Sequence, residues 1–330
     1  MNEMSGQGLK NFMKLECPVK KILLPIDGSG HSQRAVEFAG YLGTSLGKNL
    51  ADLALLRVVS GRYMGRYMPY LDYRAELLKL SGSFKEFKKQ HIEKIVKPSL
   101  DKGEKILKDL GIGMNIEKLI VEGDPAHEIL RIAEEKGFSS IVMARRGLSE
   151  IIEFLLGSIT NKVVHGASRQ TVYVVGQKIL RDKTCPIPKI LVPVDGSSYS
   201  MKGAEHAACL ASELKASMNS VTLLRVINLA LFEKRLKEGI DPEEEAEKIL
   251  EEAKSIFLQA GVPEGLISTK IRLGQPAEEI LKEADGYDLI VMGRKGRTAI
   301  KDFLLGGVSA IVIHRCQNPT IAIVSSEETK

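Results

Sequence analysis

Two patterns of hydrophobic positions follow one another along the second half of the chain. Short runs, most of them continuous and rich in Ile, Val and Leu, occupy residues 189–195, 220–227, 268–272, 289–292 and 320–324. Between them, apolar residues recur at helical spacing over about 198–214, 242–259 and 276–284. Continuous apolar runs are typical of strands covered on both faces, and strands that alternate with helices predict a parallel sheet.

The first half repeats this pattern with nearly the same residues. The segment KILLPIDGS at 21–29 recurs 168 positions later as KILVPVDGS at 189–197. IVMARRG at 141–147 and FLLGS at 154–158 recur 149 positions later, as IVMGRKG and FLLGG. The duplication predicts two domains, 1–180 and 186–330, and an insertion at about 60–80 in the first. A short polar linker with two prolines is expected at 177–188.

Composition narrows the class of protein. A net charge of +5 over 330 residues, with both signs interspersed, does not demand nucleic acid. No run of 18 apolar residues is present, and residues 1–16 lack the apolar core of a signal peptide, so a cytoplasmic protein without a membrane segment is expected. Cys17 and Cys185 occupy duplicate positions but form no CxxC pair, and free thiols rather than a disulfide framework or a zinc site are expected.

Candidate binding residues follow from where ligands bind in such sheets. In an open doubly wound sheet, the ligand lies beyond the carboxyl ends of the strands, where the strand order reverses. The residues expected there are Asp27 and Asp195, the loops after Val58 and Val226, and two glycine loops.

The glycine loops share one spacing. Gly293-x-x-Gly296 is followed by nine residues and then Gly306-Gly307-Val308-Ser309, whereas the first half has Ala144-x-x-Gly147, nine residues and Gly157-Ser158-Ile159-Thr160. Glycine allows the backbone to approach a ligand closely, and successive amides ahead of a helix bind anions. Phosphate is the natural occupant.

With its Pro-x-Asp-Gly-Ser strands, this spacing resembles the nucleotide-binding branch of the universal stress protein family, in a tandem form that covers nearly the whole chain. The resemblance implies an α/β fold of two tandem doubly wound parallel five-stranded sheets, Rossmann-like and similar to the adenine nucleotide alpha hydrolases. Single-domain members pair through the last strand. We therefore expect 171–175 and 320–324 to form a pseudo-twofold pair within the chain, and two chains to associate further as a homodimer.

The resemblance also implies a ligand, ATP or AMP, with Mg²⁺ as a companion ion if ATP binds. The first-strand Asp would hold the adenosine end, the strand-two Val would lie near adenine, and the glycine loop would hold the phosphates. The first site would comprise Pro25, Ile26, Asp27, Val58, Met143, Gly147, Gly157, Ser158, Ile159 and Thr160. The second would comprise Pro193, Val194, Asp195, Val226, Met292, Gly293, Gly296, Gly306, Gly307, Val308 and Ser309.

Simpler roles compete with these assignments. The aspartates could cap the next helix, and the valines and methionines could belong to the core. Basic residues flank the loops and are either phosphate partners or solvated side chains: Arg145, Arg146, Arg294, Lys295 and Arg297.

Each copy departs from the family pattern once. Ala144 adds a methyl group where the backbone should meet the ligand, and Gly307 lacks a hydroxyl donor, a loss of about 1.5–3 kcal/mol unless Ser309 or water substitutes. We predict that the second site is at least as good as the first.

Catalysis is not expected. No Walker loop, kinase set or nucleophile elbow is present, and His165 and His314, the one duplicated histidine pair, are expected in core or capping roles. The sequence therefore favours a nucleotide-dependent regulator or sensor in the stress response. A nucleotide-independent scaffold and a slow ATPase are the alternatives.

The insertion after the second strand has no counterpart in the second half. Gly61-Arg62-Tyr63-Met64 is repeated at once as Gly65-Arg66-Tyr67-Met68 and is followed by Tyr70, Tyr73 and Arg74. Aromatic and basic residues together can stack on bases, but a lid over the first cleft or a contact with another subunit or protein partner is favoured over nucleic acid. The helix that follows, about 83–110, should be kinked at Pro98.

Overall fold

Ten strands form the framework. The computed structural model describes residues 19–60, 82–147, 156–178, 187–296 and 305–325. The first half contributes β1 (Lys21–Pro25), β2 (Asp52–Val59), β3 (Glu117–Glu122), β4 (Ser140–Ala144) and β5 (Thr171–Val175). The second contributes β6 (Lys189–Pro193), β7 (Ser220–Asn228), β8 (Ile267–Gly274), β9 (Leu289–Gly293) and β10 (Thr320–Val324).

Helices cover both faces of these strands. The first half has α1 (Gly30–Leu46), α2 (Gly82–His91), α3 (Lys97–Asp109), α4 (Pro125–Glu135) and α5 (Ser158–Gly166). The second has α6 (Ser198–Leu214), α7 (Leu229–Lys237), α8 (Pro242–Gln259), α9 (Pro276–Ala284) and α10 (Gly307–Arg315). A π-helical stretch, Ile92–Val96, joins α2 to α3, so the expected irregularity lies just before Pro98, which cannot donate a backbone hydrogen bond.

The strand order is β3-β2-β1-β4-β5-β10-β9-β6-β7-β8. Every adjacent pair is parallel except β5 and β10, which run antiparallel. The two predicted five-stranded sheets therefore join edge to edge as one ten-stranded sheet, and the expected pairing within the chain is confirmed. Its cause is burial, because all five residues of β5 and of β10 are apolar or Thr and would otherwise form exposed edges.

Two apolar layers enclose this sheet. Helices α1, α3, α6 and α8 pack on one face around Phe38, Tyr173 and Phe257, and α4, α5, α9 and α10 pack on the other. In each half the order reverses between the first and fourth strands, which opens a crevice at their carboxyl ends. Within the described residues, no helix is long and apolar enough to cross a bilayer.

Candidate nucleotide-binding site

The Asp-Gly-Ser turns after β1 and β6 place a carboxylate at each crevice. The Ser197 amide and hydroxyl donate to Asp195 Oδ1 at 3.0 and 2.6 Å, and the Ser29 amide donates to Asp27 Oδ1 at 3.0 Å. The serines, not the aspartates, cap α1 and α6. Capping as the role of the aspartates is therefore wrong.

The glycine loop lies directly against this carboxylate. A Cβ on Gly296 would lie 2.6 Å from Asp195 Oδ2, and one on Gly147 would lie 2.2 Å from Asp27 Oδ2. Both distances are far inside van der Waals contact, so only glycine fits without displacing the carboxylate. Two motifs that lie far apart in sequence thus meet in each half.

A backbone hydrogen bond closes the base of each loop. The Gly157 amide donates to the Arg145 carbonyl, and the Gly306 amide to the Arg294 carbonyl, both at 2.9 Å. These two amides are thus used within the loop. The anion cradle is left to the first-turn amides of α5 and α10, residues 158–160 and 307–309, because such amides have no acceptor inside the helix and lie at its positive end.

The hydroxyls at these helix starts divide into two kinds. Thr160 Oγ1 donates to the Ala144 carbonyl at 3.0 Å, and Ser309 Oγ to the Gly293 carbonyl at 2.9 Å, and both side chains are buried. They fasten the helix to the strand, so Ser309 does not replace the hydroxyl that Gly307 lacks. Ser158 is exposed, and a Cβ on Gly307 would meet nothing within 4 Å.

Ala144 faces away from the first crevice, which corrects the expected obstruction. A Cβ on its counterpart Gly293 would lie 2.3 Å from the Tyr199 carbonyl in α6, so this position points at a helix. Ala144 is correspondingly buried in the apolar layer that contains α1. Of the two departures from the family pattern, only the one at Gly307 lies where an added side chain would meet open space.

In the second half these parts enclose a cavity of about 610 Å³. All eleven residues predicted for the second site line it, and the volume lies in the range of small-molecule sites. Val226 and Met292 are buried and also form its wall, so their packing and binding roles coincide.

Helix α7 forms a wall of this cavity at a position where the sequence pattern predicts a loop. Leu231, Phe232 and Arg235 line the cavity from this helix. Arg235 pairs with Glu245 of α8 at 3.3 Å, and Glu245 lines the cavity as well. The missed signals were Asn228, whose side chain caps the helix, and apolar residues at 229, 232 and 236.

The first site has the same plan. Pro25 ends β1, Val58 and Met143 lie near the ends of β2 and β4, and Gly157 precedes α5. Val58 is half-buried whereas Val226 is buried. The insertion at 61–74, Arg297, Cys17, Cys185, most of the linker and the central parts of both glycine loops lie outside the described residues.

The described basic residues beside the loops are not solvated side chains. Arg145, Arg146, Arg294 and Lys295 are all buried. Lys295 lines the second cavity with its ammonium 5.2 Å from the centre of the Tyr199 ring.

Arg145 and Arg294 point into the opposite half. Arg145 donates to the carbonyls of Ile313, at 2.7 Å, and His314. Arg294 donates to the carbonyls of Val164, at 2.9 Å, His165 and Ala167. Burial lowers the pKa of both arginines, and neither is a phosphate partner or a solvated side chain.

The duplicated histidines and the described cysteines are not among the residues that line the second cavity. His165 contacts the Asn161 carbonyl of its own helix, and burial lowers the pKa of His314. Cys209 and Cys316 are buried, and burial raises the pKa of Cys316 to about 12. Among the described residues, no cluster of three or more His, Cys, Asp or Glu side chains could hold a metal ion.

Comparison with known proteins identifies the family of both halves. The model of the universal stress protein family matches residues 18–175 and 186–323. Universal stress protein MJ0577 of Methanocaldococcus jannaschii is 32% identical over 163 residues, 48% of this chain and 96% of that protein. A universal stress protein of Mycolicibacterium smegmatis is 25% identical over 306 residues, 92% of this chain and 96% of its own length.

Among solved structures, a universal stress protein from Archaeoglobus fulgidus superimposes with a TM-score of 0.63. The match has 19% identity and covers 93% of this chain and 98% of that one. It supports the tandem fold.

Proposed function

The chain belongs to the universal stress protein family, and from that premise we propose that it binds an adenine nucleotide, ATP or AMP, at the crevice of each half. The bound state then alters the protein surface or its assembly, so the protein acts as a nucleotide-dependent regulator. If ATP binds, Mg²⁺ would accompany it, because phosphate oxygens are the hard ligands that this ion prefers.

One observation carries the proposal. In both halves a carboxylate after the first strand, a glycine that touches it and the start of a helix converge at the strand tips. The helix start favours a phosphate group, and in the second half the buried Val226 and Met292 offer an apolar wall to a base. A nucleotide combines these two chemistries.

Binding without rapid turnover is favoured over hydrolysis. Phosphoryl transfer needs a group that orients or deprotonates the attacking water near the terminal phosphate. Among the described residues, two acidic side chains line the second cavity, and both are engaged, Asp195 by its own turn and Glu245 by Arg235. Two alternative functions compete with this proposal. One is slow ATP hydrolysis, and the other is a protein-interaction scaffold that does not bind nucleotide.

A single preparation separates these functions. The full chain is purified without added nucleotide and denatured, and the supernatant is run on a nucleotide-resolving column. Calorimetry with ATP and with AMP follows. We expect bound adenylate or a saturable heat, whereas absence of both supports the scaffold, and accumulation of ADP with time supports the ATPase.

A further inference from the structure

We propose that Arg145 and Arg294 are positioning residues that act across the interface between the halves. Each holds the helix whose start forms the phosphate end of the opposite crevice, so the two crevices are energetically coupled. The coupling of nucleotide sites rests on the proposed function, whereas the positioning of the helices does not.

The last carbonyls of α10 show how Arg145 acts. The Cys316 amide donates a hydrogen bond to the Val312 carbonyl. The next two carbonyls, of Ile313 and His314, accept hydrogen bonds from the Arg145 guanidinium. A helix leaves its last carbonyls without internal N–H donors, and its C-terminal end carries partial negative charge. A buried cation from the other half satisfies both needs.

Arg294 repeats the arrangement at α5. The Ala167 amide donates a hydrogen bond to the Val163 carbonyl. The Arg294 guanidinium donates to the carbonyls of Val164, His165 and Ala167. The planar guanidinium has five donors, so it can serve several carbonyls at once, as a lysine ammonium could not in the same geometry.

The other end of each helix lies at a crevice. Helices α5 and α10 have nine residues each, and they start at Ser158 and Gly307 in the predicted phosphate cradles. Arg145 is thus two residues from Gly147 in the first crevice, and its side chain holds a helix that begins in the second.

Main-chain bonds close this arrangement into a ring. The Arg145 carbonyl accepts from Gly157 at the start of α5, and the end of α5 accepts from Arg294. The Arg294 carbonyl accepts from Gly306 at the start of α10, and the end of α10 accepts from Arg145. A change in one glycine loop on phosphate binding therefore reaches the opposite helix through one side chain, which is the differential contact that coupling requires.

Affinity measured at one crevice at a time tests whether each arginine acts on the crevice of the opposite half. Asp27→Ala removes the first site and Asp195→Ala the second, and Arg145→Gln is placed in each background. In calorimetry with ATP, we expect Arg145→Gln to weaken the second crevice by at least about fivefold and more than the first. Arg294→Gln should show the opposite preference. An equal loss at both crevices, or a loss confined to the crevice of the mutated loop, would overturn the inference.

Hydrogen exchange without ligand tests the positioning separately. Arg145→Gln should speed amide exchange in α10 and leave α5 unchanged, and Arg294→Gln should do the reverse. Exchange that rises in both helices or in neither contradicts the inference. Crosswise exchange in a protein that binds neither ATP nor AMP would reject the proposed function and leave the positioning intact.

Two further variants guard against a merely structural effect. Arg169→Gln removes a charge from an exposed side chain of the first half, bonded to Glu134, and should change neither crevice. If Arg145→Gln does not fold, Arg145→Lys replaces it, since it keeps the charge and loses the fork of donors. A lysine variant with wild-type affinity at the second crevice and wild-type exchange in α10 would contradict the role.

Discussion

At the scale of single residues, we expect the contact between Gly296 and Asp195 to determine nucleotide affinity at the second crevice. Gly296→Ala would put a methyl group 2.6 Å from Asp195 Oδ2, in a short side chain already held by Ser197. Displacing it costs about 1.5–3 kcal/mol, so we expect ATP affinity at this site to fall about tenfold to a hundredfold. Calorimetry in the Asp27→Ala background measures it.

Gly265→Ala is the matched control, since a Cβ there would meet nothing within 4 Å and the residue lies in a short turn before β8. Equal affinity of the Gly296 variant and this control would show that the carboxylate and the loop do not act together.

Gly307 and Ser158 form an exchangeable pair at the two helix starts. Gly307→Ser adds a hydroxyl where a side chain meets no neighbour, and Ser158→Gly removes one. We expect Gly307→Ser to tighten ATP binding at the second crevice, and Ser158→Gly to weaken ATP binding at the first crevice. Each change should be about tenfold, because a hydrogen bond to a charged group contributes about 1.5–3 kcal/mol. Single-site titrations that show no change in either direction would place the phosphate elsewhere.

Residues whose partners are near in sequence were predictable, and the cross-half contacts were not. The Asp-Gly-Ser turn places Gly28 and Gly196 at φ of +81° and +78°, a local requirement visible in the motif itself. Arg145 and Arg294 looked like phosphate ligands because they sit beside glycines. Their acceptors lie more than 120 residues away, and only the pairing of the halves brings them together.

At the scale of elements, α7 forms one wall of the second crevice. Phe232 is half-buried and faces the cavity, so Phe232→Ala should weaken ATP binding there by up to about tenfold, the 0.5–1.5 kcal/mol of an aromatic contact. Lys234→Ala, on an exposed side chain of the same helix, should have no effect. Fluorescence or calorimetric titration in the Asp27→Ala background compares the two, and identical affinities would remove α7 from the site.

Most elements follow from local pattern, and the exceptions have physical causes. The strands and the helices around them were predictable from apolar period and from caps such as Asp241-Pro242. Helix α7 is hard to predict because it is only nine residues long and its three leucines, 229, 231 and 236, are exposed. Its apolar stripe is therefore weaker than that of a core helix.

At the scale of the whole molecule, the pairing of the halves is asymmetric. Tyr173 of β5 shares a buried hydrogen bond with His206 of α6 and packs against Phe38 of α1. Phe38 stands where His206 stands in the other copy, and Ala322 stands where Tyr173 does. When the first half pairs with the second, Tyr173 lies opposite the small side chain of Ala322 and not opposite another tyrosine. This arrangement favours pairing of unlike halves over pairing of like halves.

A buried histidine at this interface should make the free energy of unfolding depend on pH. Burial lowers the pKa of His206 from 6.5 to about 4, so the folded protein keeps it neutral. Below about pH 6.5 the unfolded chain takes up a proton that the folded chain refuses, and the free energy of unfolding should fall towards pH 4, by up to about 3 kcal/mol.

Urea unfolding between pH 7 and pH 4 measures this loss. The double variant His206→Phe with Tyr173→Phe should lose less unfolding free energy over this pH range. Part of the loss should remain, because burial also lowers the pKa values of His91 and His314. Parallel pH profiles of variant and wild type would contradict the role of His206.

The most direct test of nucleotide binding is a titration of ATP into isotope-labelled full-length protein, followed by the backbone amide resonances. We predict saturable shifts concentrated at residues 307–309 and 158–160, the two helix starts, and at Asp195 and Asp27. Shifts that spare both helix starts, or no saturable shift at all, would contradict nucleotide binding at these crevices.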